Sequence, residues 1–157
     1  MLYGCHVCAL SIALGLLTSC NRVVSAGLVF GCGLGLPMWL IYVAQTGDVH
    51  PLSAWLHLLP PFWAFLVVRR HGLWKRAWLA ALATFVTLVV VSHFLTKPAL
   101  NVNLSHQPSA EMFLLGKTLW GARACGVAMC LGLLFLAQVI LVQLCPPAHE
   151  RPNRAQG

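Results

Sequence analysis

The stretch RRHGLWKR, residues 69–76, decides how the rest of the chain is read. Four of its eight residues are Lys or Arg, and long apolar runs flank it at 51–68 and 77–96. A basic loop between two apolar runs of this length is the mark of a helical hairpin that crosses a bilayer twice. Working outward, three more runs have the same character: 2–20, 23–45 and 119–144. About 20 apolar residues cross the roughly 30 Å of bilayer hydrocarbon as a helix. The sequence therefore predicts an all-α polytopic membrane bundle of about five transmembrane helices. It forms one domain over 1–145, and 146–157 is a polar, disordered tail.

Composition supports the same class. Of 157 residues, 59% are hydrophobic and only 8% are charged, with a mean hydropathy of +0.81. Soluble domains carry about a quarter charged residues. The net charge of +7 does not point to nucleic acid, because most of the basic residues lie in short loops where they set membrane orientation. With 69–76 in the cytoplasm, Arg22 and the C-terminal tail are cytoplasmic and the N-terminus is outside. Tyr3, Tyr42, Trp55 and Trp120 then mark the outer interface, and Trp74 and Trp78 the inner one. The expected location is the cell membrane, the inner membrane of a bacterial cell. LTSC at 17–20 resembles a lipoprotein lipobox, but no basic segment precedes it, and cleavage there would place the basic loop outside.

Pro60-Pro61 is expected to kink the third span. Arg123 lies close enough to the start of the fifth to reach the interface. Two small-residue stripes should bring helices close together: Gly4, Cys8, Ser11 and Gly15 on the first span, and Gly27, Gly31 and Gly35 on the second. These stripes also leave room for a homo- or hetero-oligomer built through helix contacts.

Polar groups gather on one side in this topology. Cys5, His6 and Cys8 fall within about 12 Å of the outer end of the first helix at 1.5 Å per residue. His50, His57, His93, Asn101, Asn103 and His106 are also on the outer side. Ionisable groups inside a membrane are costly, and their clustering signals a site. The alternatives are plain ones. Cys8 can be a small packing residue, the histidines can bond backbone carbonyls, and the asparagines can serve turn geometry.

Three chemistries compete for the cluster. CHVC, residues 5–8, has the spacing of a thiol–disulfide pair, with an imidazole beside it. His57 and His93, at similar depth on neighbouring antiparallel helices, could hold haem b or a metal. Cys8 and His57 could instead act as nucleophile and base in acyl transfer, with no cofactor. The scarcity of acids, with Asp48 and Glu111 the outer candidates, argues against carboxylate hydrolysis or an oxygen-ligated cation.

LYGCHVCALSIALGLL, HPLSAWLHLLPPFW and PALNVNLSHQP are similar to motifs of the bacterial YwaF-like integral membrane family. That family is related to the eukaryotic transmembrane protein 164, a cysteine-dependent phospholipid acyltransferase. The likeness runs over about residues 2–110 as short islands. It implies Cys8 as nucleophile, His57 as its partner, and Asn101 and Asn103 as nearby loop residues. His93, His6 and Cys5 have supporting places, and the substrate is a phospholipid of the outer leaflet. The sequence departs from the family in having Val7 before Cys8 and fewer spans. A non-enzymatic haem- or metal-binding protein, or an assembly subunit, remains the alternative.

Overall fold

The computed structural model describes residues 4–96 and 118–146. Among them every regular element is helical. Helix α1 is Gly4–Leu17, α2 is Asn21–Phe30, α3 is Leu36–Thr46, α4 is Pro51–His71, α5 is Ala77–Leu95 and α6 is Leu119–Leu144. A π-helical segment, Gly31–Gly35, joins α2 to α3 without a break. Together they make a helix of 26 residues, Asn21–Thr46. Four helices are long and apolar enough to cross a membrane, which makes this a multi-pass bundle.

Over the described residues the first segment is the 14-residue helix α1, about 21 Å at 1.5 Å per residue, a shorter apolar helix beside the four long ones. Its stop is well defined. Ser19 takes a left-handed φ of 53°, Ser19 N–H bonds Leu16 O at 3.2 Å, and Cys20 N–H bonds Gly15 O at 2.8 Å. This pair of bonds is the Schellman closure, which satisfies carbonyls that the helix end would leave open. The chain reverses there into α2. Gly47 does the same for α3 with φ 69°, and Gly47 N–H bonds Val43 O at 2.8 Å. Pro51 then starts α4 at a position where its missing N–H costs nothing. Through Pro60-Pro61 α4 continues as one helix to His71.

The α2 segment is the centre of the bundle. Half of its apolar window is buried, against 11–22% for the other long helices. Val24, Leu28 and Val29 are at most 1% exposed. Around it stand α1, α4, α5 and α6. The outer helices turn large apolar side chains outward, with Phe94 and Leu95 each 79% exposed and Trp120 75%. That pattern suits a lipid surround, where apolar exposure carries no penalty.

In lipid, helices associate through close packing and hydrogen bonds rather than through hydrophobic burial. Glycines supply the packing. A Cβ on Gly15 would lie 2.7 Å from Val24 Cγ2, and one on Gly27 would lie 2.6 Å from Ile12 Cγ1. These two glycines let α1 and α2 nearly touch. The second stripe does not continue as the sequence suggested. A Cβ on Gly35 would meet only Phe30 O, at 3.9 Å, whereas one on Gly33 would lie 3.2 Å from Leu133 O and Leu134 Cα of α6. Gly31 and Gly33 are two residues apart and so face different sides, Gly31 toward α1 and α4 and Gly33 toward α6, while the i→i+5 turn shifts the phase of the residues that follow, Gly35 among them.

Hydrogen bonds tie one end together. Asn21 Nδ2 donates to Gly72 O at 2.8 Å, and Leu73 N–H to Cys145 O at 3.3 Å. Trp74 N–H donates to Ser25 Oγ at 3.2 Å. Gln138 accepts from Trp78 N–H at 3.2 Å and donates to Trp74 O. The starts of α2 and α5 and the ends of α1, α4 and α6 therefore meet at this end. It carries Arg22, Arg69, Arg70, Lys75 and Arg76, which make it the basic end of the bundle.

Candidate functional site

The sequence places its candidates at the end of the bundle opposite the basic one, and the structure distributes them differently. Cys8 lies well inside. Its thiol donates to Gly27 O at 3.2 Å, and it shares contact with Pro61 around Gly31, since a Cβ there would be 3.0 Å from both Cys8 Sγ and Pro61 Cγ. Gly27 and Gly31 lie about 10–15 Å along α2 from the basic end at 1.5 Å per residue. Because α1 is short, nearness to its first residue does not mean nearness to the rim of the longer helices. Cys8 fills the packing seam between α1 and α2.

His57 belongs to another neighbourhood. Its Nδ1 lies 2.7 Å from Ser53 O, one turn back on α4. A carbonyl only accepts, so Nδ1 carries the proton and Nε2 is left as the basic nitrogen. The ring stacks on Trp39 of α3, with centroids 5.4 Å apart and planes 15° apart. Among the described residues Cys8 and His57 do not bond one another, and they open onto different cavities.

The supporting candidates also scatter. His6 is exposed, and its Nδ1 is 3.6 Å from Cys5 Sγ, a contact between adjacent residues on one helix. His93 is exposed at the end of α5, edge-on to Phe94 at 5.5 Å. The chief neighbours of α4 are α1 and α2, and those of α5 are α2 and α6. His57 and His93 are thus on helices whose chief packing partners differ, apart from the shared α2. All seven cysteines are free thiols, so Cys5 and Cys8 form no disulfide here. Asn101, Asn103 and His106 lie outside the described residues. Arg123, near the start of α6, lies 5.2 Å over the Trp120 ring.

What His57 does border is a groove of about 840 Å³, within the range of ligand pockets. Its walls are α4, from Pro51 to Phe65, and the last part of α6, from Ala137 to Leu144, and its floor is Cys32 and Leu36 at the π-segment. The lining is aliphatic and aromatic except for the His57 imidazole and the Cys32 thiol. Pro60 and Pro61 have no N–H, so the carbonyls of Leu56 and His57 lose their usual helix donors. The groove wall itself offers a base and a thiol in otherwise apolar surroundings.

Sequence reasoning did not single out Cys32, or Trp39, whose Nε1 is buried without a partner. Ser25 and Gln138 were also missed. Polar side chains inside apolar runs were the signal available for those two.

Comparison with protein-family models, with curated proteins and with solved structures finds no match to this chain.

Proposed function

We propose that this multi-pass membrane protein holds the acyl chain of a membrane lipid in the groove between α4 and α6, with the ester region of the lipid at His57. The observation that carries the reading is the groove itself: about 840 Å³, apolar along its length, with His57 and Cys32 as its polar members. An acyl chain matches such a lining. A hydroxyl of the lipid's glycerol or headgroup can donate to His57 Nε2, the accepting nitrogen on an otherwise apolar lining.

One observation favours a chemical step as well. A thiol and a basic imidazole nitrogen line a single groove. In this reading Cys32 takes the nucleophile's place that the motif resemblance gave to Cys8. The Cys32 S–H proton passes to His57 Nε2, and the thiolate attacks the lipid ester carbonyl. The ester C–O bond breaks, the leaving lysolipid oxygen takes the proton back, and a thioester remains on Cys32. An acceptor hydroxyl then attacks the thioester, with His57 taking its proton and returning it to the thiolate. Ser53 O holds Nδ1–H throughout, which orients the ring and stabilises the transient imidazolium.

The test uses the full chain in bilayers containing a phospholipid whose acyl chain carries a photoactivatable diazirine. Crosslinks are expected on α4 and α6 peptides of the groove. Ala137→Trp, which fills it, is expected to reduce them roughly fivefold, the effect of losing about 1 kcal/mol of chain burial. Crosslinks that ignore Ala137→Trp would refute the groove. For the chemical step, a hydroxylamine-labile acyl mass on Cys32 is expected in wild type and Cys8→Ser, and not in Cys32→Ser. The same mass on Cys8 would overturn the assignment to Cys32, and no labile mass at all would leave a lipid-binding protein without acyl transfer.

A further inference from the structure

The setting of His57 bears on which lipid the α4–α6 groove takes. The residue is on the second turn of α4, about 9 Å along the helix from Pro51 at 1.5 Å per residue. Its two nitrogens are unequal. Nδ1–H is tied to Ser53 O at 2.7 Å, which leaves Nε2 as the accepting nitrogen of the lining. The ring is also placed to carry a second proton. Ser53 O bonds the N–H of an imidazolium more strongly than that of a neutral ring. Trp39 covers one face, with centroids 5.4 Å apart and planes 15° apart, within the distance at which an indole face attracts a cation.

What the chain does not supply is the anion. Among the described residues no carboxylate lines the groove, whose other titratable member is Cys32. Asp48, the one acid among them, is exposed in the link between α3 and α4. A charge on an apolar lining needs a partner, so here the partner has to come with the ligand. The same stack also holds an open donor: Trp39 Nε1–H is buried with no acceptor among the described residues, and a buried donor left open costs free energy. A ligand head with more than one accepting oxygen suits such a pair of rings.

Lipid heads differ in what they can do at this ring. An ester has no proton to give, and an alcohol gives one neutral hydrogen bond to Nε2. An ammonium head can donate, but it brings a positive charge that nothing on the lining answers. A carboxylic acid donates its proton and leaves behind the anion that the imidazolium lacks. We infer that the groove binds a long-chain fatty acid, with its chain between α4 and α6 and its carboxyl group at His57. The acid enters neutral, its O–H proton passes to His57 Nε2, and the bonding electron pair stays on the carboxylate oxygen. The two ions remain paired beside Trp39, which acts as a positioning residue. The inference rests on the groove reading above, which places the chain, and adds the chemical class of the head. In that reading, water as the acceptor hydroxyl would release this same acid at this same imidazole.

The experiment crosslinks palmitate that carries a chain diazirine to the full chain in phosphatidylcholine nanodiscs. Palmitate, its alcohol and its methyl ester then compete at equal mole fractions in the bilayer. Palmitate is expected to compete about tenfold better than the other two, the margin of a charge-assisted over a neutral hydrogen bond. His57→Phe, which keeps a ring against Trp39, is expected to erase that margin, and Cys32→Ser to retain it. Trp39→Leu is expected to shrink it roughly threefold while leaving the ester unchanged. Ala137→Trp is expected to weaken all three ligands alike, since it blocks the chain and not the head. Infrared difference spectra of bound palmitate locate the proton, with a carboxylate band expected in wild type and a protonated-acid band in His57→Phe. Equal competition by the three ligands, a margin that survives His57→Phe, or a protonated-acid band in the wild type would overturn the fatty-acid assignment and leave the groove standing. Crosslinking and competition that ignore Ala137→Trp would instead remove the groove, and the inference with it.

Discussion

The Gln138 side-chain oxygen accepts the backbone N–H of Trp78 at 3.2 Å. Trp78 is in the first turn of α5, where a helix amide has no partner of its own. Gln138 is 5% exposed, in the last third of α6. One side chain thus caps a neighbouring helix and also donates to Trp74 O at 3.4 Å. Gln138→Leu is expected to lower stability by about 1–2 kcal/mol, the upper range for hydrogen bonds between membrane helices. Gln138→Glu keeps the accepting oxygen and is expected to cost less when protonated. Unfolding in mixed detergent micelles reads the difference, and a Leu variant as stable as wild type would show that the bond contributes nothing.

The glycines give a sharper contrast. Gly33→Ala places a Cβ 3.1 Å from Leu134 Cδ2 and 3.2 Å from the Leu133 and Leu134 backbone. Backbone cannot swing aside, so α6 has to move out, at an expected cost of about 1–3 kcal/mol. Gly35→Ala meets nothing closer than 3.9 Å and is expected to be neutral or to stabilise by up to about 1 kcal/mol through helix propensity. Side-by-side thermal melts in detergent decide it. Equal destabilisation by the two alanines would contradict the close approach of α6 at Gly33 and the open space at Gly35.

That contrast shows where the sequence is legible and where it is not. Helix positions came through because apolar length and flanking charge are local properties: the runs expected at 51–68, 77–96 and 119–144 lie within or nearly match α4, α5 and α6. The glycine partners did not, because Gly27, Gly31 and Gly35 form an even stripe only if the helix keeps 3.6 residues per turn. The π-segment breaks that phase. Depth along a helix likewise says nothing about which neighbour a side chain faces, so Cys8 and His57 looked like partners and sit on different seams. Cys32 was hidden for the same reason. Its exposure to the groove depends on how far α4 and α6 diverge, which no single segment encodes.

Ser19 holds a left-handed conformation that costs an L-residue about 1–2 kcal/mol. It closes α1 with two backbone bonds, to which its side chain is incidental. Ser19→Gly is expected to stabilise the bundle by up to about 1 kcal/mol, the gain being trimmed by the greater freedom of glycine in the unfolded chain. Ser19→Val is expected to destabilise it by more than that, since a β-branched residue tolerates the conformation least. A melt series of the three proteins would settle the ranking, and a Val variant equal to wild type would mean that the turn is not held in solution.

Thiol reactivity separates the two cysteine environments directly. Cys8 is 6% exposed and bonded to Gly27 O, whereas Cys32 lines the same groove as His57. In bilayers treated with a lipid-soluble maleimide, Cys32 is expected to react at least about tenfold faster than Cys8, because the thiolate is the reacting species and a reagent must reach it. Peptide mapping after timed labelling assigns each rate, and Cys32→Ser removes the fast site. Ala137→Trp is expected to slow Cys32 and leave Cys8 unchanged, since it obstructs the groove and not the α1–α2 seam. Faster labelling of Cys8 would place the accessible thiol on that seam, and the nucleophile would then have to be sought there, beyond hydrogen-bonding reach of His57.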